Sequence, residues 1–140
     1  MYPEEFVLPM KAELVDNGFE DLKTASEVES AIKNDGTTLV VINSVCGCSA
    51  STARPGVKAA VSASSKKPSN LATVFAGVDP EAVQKAREYT LPYPPSSPSI
   101  ALFKDTANVV FSPTQIIDSL ALIVASINVT SIESLALHPP

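Results

Sequence analysis

No cluster of lysine and arginine interrupts this sequence, and 15 acidic residues outnumber 10 basic ones for a net charge of −5. That balance offers no cationic surface for a phosphate backbone, so no nucleic-acid partner is expected. No apolar run approaches the roughly 20 residues that span a bilayer, so no membrane partner is expected either. The opening Met1-Tyr2-Pro3-Glu4-Glu5 has neither the basic nor the apolar region of a signal peptide. The expected compartment is therefore the reducing cytoplasm, where a close cysteine pair is more often catalytic or metal-binding than structural. In that compartment the glycosylation pattern Asn128-Val129-Thr130 carries no meaning. No internal repeat is visible. Histidine occurs once, at His138, and cysteine only at Cys46 and Cys48, which falls short of the four ligands of a closed zinc site.

What the chain does have is a core and one concentrated piece of chemistry. Its 140 residues are 45% apolar, enough for one domain with a buried interior. Thr38-Leu39-Val40-Val41-Ile42 is a continuous β-branched block of the kind buried on both faces of a sheet. It runs into Val45-Cys46-Gly47-Cys48-Ser49, and Ala50 to Ser65 then reads as a small-residue helix. A thiol between such a strand and helix lies near free backbone N–H groups and the positive end of the helix dipole, which favour thiolate. Gly47 removes a Cβ and widens φ space, as a very small disulfide ring requires. The expectation is thiol–disulfide chemistry.

The remaining elements follow from caps and periodicity. A short helix is expected from about Pro9 to Asn17, stopped by Gly18, with Phe6, Met10, Leu14 and Phe19 as its apolar stripe. A second has two candidate capping boxes, Thr24-x-x-Glu27 and Ser26-x-x-Glu29, and buries Val28 and Ile32 before Asp35-Gly36. Pro55 predicts a kink or break near Ala53-Arg54 in the helix after the cysteines. Leu71 to Ala76 is a second buried strand, joined to the first by a right-handed parallel crossover. Asp79-Pro80-Glu81 starts a helix that runs to about Tyr89. Leu91-Pro92-Tyr93-Pro94-Pro95-Ser96-Ser97-Pro98 is irregular and feeds a hairpin of Ser99 to Phe103 and Val109 to Phe111, with Lys104 to Asn108 as its turn. Ser112-Pro113-Thr114-Gln115 opens a last helix on Ile116, Leu120, Ile123, Val124 and Ile127. The domain is expected over residues 1–128, with a tail over residues 129–140.

A β-α-β half, a helix, a proline-led hairpin and a final helix resemble the thioredoxin-like plan: α/β, three layers, a central mixed sheet flanked by helices. Asn43-Ser44-Val45-Cys46-Gly47-Cys48, Ala53-Arg54-Pro55, Val74-Phe75-Ala76-Gly77 and Pro95-Ser96-Ser97-Pro98-Ser99, in that order, resemble the bacilliredoxins, bacterial cytosolic proteins with a Cys-Gly-Cys centre. The resemblance implies that Cys46 is the attacking thiol and Cys48 the resolving thiol. It implies removal of bacillithiol or a similar low-molecular-weight thiol from S-thiolated proteins, and disulfide reduction or isomerisation more generally. The thiol serves as co-substrate and no cofactor is expected; a homodimer is left open. It also implies a cis bond before Pro98, which turns the Ser97 backbone toward the cysteines to pair with an extended substrate.

Each site residue has a plainer alternative. The cysteines would otherwise be small buried hydrophobes, or a soft-metal module holding copper or zinc, as two-coordinate copper(I) or a site shared between chains. Pro98 would only begin an edge strand. Arg54 would be an exposed helix arginine instead of supporting a thiolate or a bound carboxylate, and Asn43 and Ser44 would only satisfy strand-end backbone. Gly47, Ser97, Pro98 and Arg54 are the expected substrate-binding set. Cys46 is expected to be the more exposed and more acidic thiol, with Cys48 shielded by the following helix. Two departures from ordinary thioredoxins stand out: Val45 precedes Cys46 where an aromatic is usual, and Leu39 to Ile42 contains no acid to accept a proton.

Overall fold

The β-branched block forms the centre of the sheet. In a computed structural model, which describes residues 1–65 and 67–104 and the backbone of strand residues 107–111, the strands are β1 (Glu20–Asp21), β2 (Thr37–Asn43), β3 (Asn70–Phe75), β4 (Ser99–Lys104) and β5 (Ala107–Phe111). Their order is β1-β3-β2-β4-β5. β2 pairs parallel with β3 and antiparallel with β4, and β4 with β5 forms the expected hairpin. The helices are α1 (Glu4–Val15), α2 (Ala25–Lys33), α3 (Arg54–Ala63) and α4 (Pro80–Tyr89). The helix expected from Ser112, its apolar positions Ile116 to Ile127, and the tail lie outside the described residues, as do Asp105 and Thr106 of the hairpin turn.

Strand alternation divides the core. Val40 and Ile42 pack with Ala72, Val74 and Phe103 against α2 and α4, while Leu39, Val41, Ile100 and Leu102 pack against Leu14 of α1 and Val57, Ala60 and Val61 of α3. Both faces of β2 are therefore covered, which is why the block is apolar without alternation. Each fully buried Val, Leu, Ile or Phe stabilises the fold by roughly 1.5–3 kcal/mol.

The structure corrects or sharpens the local reading at four places. α1 begins at Glu4 rather than Pro9 and holds Pro9 in its interior. Proline's fixed φ is helical, and its missing N–H leaves free only the carbonyl of the exposed Glu5. The earlier start rotates the buried stripe to Val7, Lys11 and Leu14, leaving Phe6 exposed, while Gly18 (φ 90°) does end the turn that follows. The two-residue strand β1 had no sequence signal and exists because it pairs with β3. Of the two capping boxes, Thr24 with Glu27 is the one formed. Asp79 stands at the start of α4 as expected, but its side chain makes no cap bond there.

That carboxylate instead accepts from the Lys11 ammonium at 2.7 Å, and Asp21 accepts from the same group at 3.0 Å. Lys11 is only 5% exposed and lies over the Phe75 ring, so this ion triad ties α1 to β1 and to the start of α4. Burial lowers the Lys11 pKa, but hydrogen bonds and charges from Asp79 and Asp21 outweigh it and hold it above the ordinary lysine value. Lys11→Met strands two carboxylates and is expected to lower stability by about 3–5 kcal/mol in urea unfolding at neutral pH. The lysine's contribution is complete below the unfolded value of about 10.4 and is lost as pH rises through the higher folded value. The gap between wild type and variant is therefore expected to persist at neutral pH and to narrow in strong alkali.

Candidate active site

β2 ends at Asn43, and the chain must turn at once into a helix that contains proline. Gly47 and Cys48 begin the helical turn, a π segment runs from Ser49 to Ala53, and α3 takes over at Arg54. The Arg54 N–H bonds to the Ser49 carbonyl five residues back. Pro55 explains the widening: it has no N–H to donate, and its ring crowds the carbonyl four residues before it. The expected break near Ala53-Arg54 therefore takes the form of a π bulge.

Cys46 occupies the place of a helix N-cap. Its carbonyl accepts from the N–H groups of Ser49 and Ala50, at 3.0 and 3.2 Å. Its Sγ accepts from the Ser49 N–H at 3.4 Å, as a capping hydroxyl oxygen does, and from the Ser44 hydroxyl at 3.3 Å. The Ser97–Pro98 bond is cis, and the Ser97 carbonyl oxygen lies 4.0 Å from the same sulfur, a position from which it can accept from the thiol form. Burial raises the Cys46 pKa, but bonds from Ser44, from the Ser49 N–H and from the Cys48 thiol and N–H outweigh it, leaving Cys46 below the ordinary thiol value.

The turn is held from behind by Asn43, which is fully buried. Its Oδ1 accepts from the Ser44 N–H at 2.8 Å, the Ser49 hydroxyl at 2.7 Å and an Arg54 Nη at 3.2 Å. Its Nδ2 donates to the Met10 carbonyl of α1 at 3.2 Å. The same Arg54 nitrogen donates to the Ser44 carbonyl at 3.1 Å, and Arg54 Nε lies 3.1 Å from Glu13 Oε1, whose other oxygen accepts from Lys58.

The structure thus brings Cys46, Cys48, Gly47, Ser97 and Pro98 to one end of the sheet and assigns Arg54 differently. Arg54 is 3% exposed, with its guanidinium committed to Asn43, Ser44 and Glu13 inside the fold, so it is neither a surface arginine nor a hand held out to a substrate. The exposure of the thiols is also reversed: Cys48 is exposed and Cys46 only partly so. The N-cap position draws the Cys46 sulfur inward to the helix N–H groups, whereas Cys48 in the first turn points outward. At Gly47 a Cβ would meet nothing within 4 Å, so the dithiol form itself gives no steric reason for glycine there. Sequence reasoning missed Ser49 and Glu13 altogether, undervalued Asn43 and Ser44, and overlooked Arg87, which donates to the Ser97 hydroxyl at 2.7 Å. The only signal for Asn43, Ser44 and Ser49 was a run of polar residues closing an apolar strand, and Glu13 and Arg87 gave none. Among the described residues no three His, Cys, Asp or Glu side chains converge as metal ligands, and no helix is long and apolar enough to cross a membrane.

The chain is similar to known proteins in sequence and in fold. A model of the disulphide isomerase family matches residues 2–131. A bacilliredoxin of Cytophaga hutchinsonii is 65% identical over 105 residues, covering 75% of this chain and 77% of its own. One from Bacillus licheniformis is 49% identical over 130 residues, covering 92% of this chain and 90% of its own. Among solved structures, the oxidised thioredoxin of Plasmodium falciparum has a TM-score of 0.54 at 15% identity, covering 76% of this chain and 98% of that one. Mitochondrial thioredoxin 3 of Saccharomyces cerevisiae has a TM-score of 0.52 at 16% identity, over 74% and 93% of the two chains. These two likenesses carry the fold, and the fold is the expected thioredoxin-like one.

Removing a hydroxyl that bonds an anion costs about 1.5–3 kcal/mol, or about one to two pKa units. Ser44→Ala is therefore expected to raise the pH of half-maximal Cys46 alkylation by about one unit, measured by iodoacetamide labelling in a Cys48→Ala background. An unchanged profile would remove Ser44 from thiolate stabilisation.

Proposed function

The chain belongs to the disulphide isomerase family of the bacilliredoxins, a family of thiol–disulfide oxidoreductases, and on that premise we propose that it removes bacillithiol, or a similar low-molecular-weight thiol, from protein mixed disulfides. The observation that carries this reading is the Cys46 sulfur: capped by the Ser49 N–H and the Ser44 hydroxyl, partly exposed, and facing the Ser97 carbonyl.

Cys46 thiolate attacks the small thiol's sulfur in the mixed disulfide. A Cys46–thiol disulfide forms, the original S–S bond breaks, and the protein cysteine leaves as thiolate and takes a proton from solvent. Cys48 then attacks Cys46, releasing the small thiol and closing a Cys46–Cys48 disulfide; a second small thiol resolves the adduct equally well in the chemical sense. The closed ring contains only Gly47 between its cysteines, so it is strained and the pair is relatively oxidising, which suits exchange and isomerisation. The exposure of Cys48 does not oppose its resolving role, since it needs only to swing onto an adjacent sulfur. The Ser97 backbone is the natural pairing edge for an extended protein substrate. In this reading the reaction runs in the reducing cytoplasm, carried by a domain of residues 1–128 with residues 129–140 as a tail, and the small thiol is co-substrate.

A Cys48→Ala variant mixed with a bacillithiolated protein is expected to retain a bacillithiol adduct on Cys46, seen by mass spectrometry, while the client protein returns to its free thiol. Cys46→Ala is expected to take up nothing and leave the client modified. An unmodified Cys46 in the first experiment would overturn the assignment.

A further inference from the structure

We propose that the cavity between α4 and the loop of residues 91–98 is a subsite for a carboxylate on the small thiol, with Arg87 as its ligand; this rests on the reading that Cys46 takes up a low-molecular-weight thiol. The cavity measures about 550 Å³, within the range of small-molecule pockets and too small for a folded partner. Val83, Leu91, Tyr93 and Pro95 give it a mostly apolar wall, in which Arg87 is the single basic side chain.

Among the described residues the charge of Arg87 is unanswered by any carboxylate. Lys11, Arg54, Lys58 and Lys85, the other described cations at least partly covered by the fold, each meet a carboxylate. Arg87 is half-buried, meets no carboxylate among the described residues, and donates only to the Ser97 hydroxyl, while its Nε is buried without a hydrogen-bond partner. The one acid in the wall, Glu88, is held by Lys85 at 2.7 Å. A guanidinium left uncompensated beside apolar surface is costly by itself and strongly attracts a carboxylate, whose two oxygens match its planar fork.

Its position selects the occupant. Ser97 touches both centres, with its hydroxyl on Arg87 and its carbonyl 4.0 Å from Cys46 Sγ. A short organic acid joined to the sulfur on Cys46 passes Ser97 and brings its carboxylate to Arg87, with its carbon chain against the apolar wall. The subsite thus favours attack on the small thiol's sulfur over attack on the protein's.

The test uses mixed disulfides of thiopyridine with a graded series of ω-mercaptocarboxylic acids, each matched by its primary amide. Cys46 thiolate attacks the alkyl sulfur, an alkyl–Cys46 disulfide forms, and the pyridyl sulfur leaves as thiopyridone, whose absorbance gives the rate. At one or more chain lengths the acid is expected to react about tenfold faster than its amide. Arg87→Gln is expected to reduce that ratio to about one, whereas Arg87→Lys, which keeps the charge, retains part of it. The ratio is internal to each preparation, so a general loss of activity cancels. No preference for any acid in the wild type, or a preference that survives in Arg87→Gln, overturns the subsite while leaving the proposed function standing. Failure of every acid and amide to modify Cys46 overturns both.

Discussion

A single carboxamide oxygen holds the active turn together. Asn43 Oδ1 receives the Ser44 N–H, the Ser49 hydroxyl and the Arg54 guanidinium, which come from both limbs of the loop that carries Cys46. Because this oxygen is buried, each of those donors would otherwise lie in a low-dielectric interior with a bond unmade, and the turn has little freedom to relax. The Cys46 sulfur inherits that rigidity, since Ser44 and Ser49, which bond it directly, are themselves anchored to Asn43 or its neighbours.

The buttress behind the turn is one stretch of α1. The Met10 carbonyl takes the Asn43 amide, Lys11 joins Asp21 and Asp79, and Glu13 holds Arg54 and Lys58. An isolated buried cation would be prohibitive, but these are paired, and the pairs connect the helix to β1, to the start of α4 and to α3. The N-terminal helix therefore does more than cover the sheet. It sets where the end of β2 lies, and through Arg54 where the loop beyond it lies.

Acidity at Cys46 needs no neighbouring charge. Hydrogen bonds from the Ser44 hydroxyl, the Ser49 N–H and the Cys48 thiol and N–H together outweigh the cost of partial burial. The aromatic residue usual before the attacking cysteine is replaced here by Val45, so the stabilising groups are the polar ones on either side. The geometry also accounts for the inverted exposure of the thiols. The sulfur that is best stabilised is the one drawn toward the helix end, and its partner in the first turn is left facing solvent.

Periodicity and punctuation by themselves determined the strands β2, β3 and β4, a capped start to α2, the break before Pro55, the hairpin and the position of the cysteine pair, because each rests on interactions within a few residues or on burial of a whole strand. The likeness of the cysteine and proline segments to one family went further and pointed to the chemistry. Only the tertiary structure decided that Arg54 turns inward, that Asp79 leaves its helix to meet Lys11, that Glu20 and Asp21 become a strand, and that Asn43 is a hub. Those outcomes depend on partners distant in the chain, as with Lys11, which meets Asp21 and Asp79 at separations of 10 and 68 residues, and Asn43, which meets Met10 at 33. A polar side chain chooses its partner by where folding delivers it, and no local pattern of residues encodes that distance.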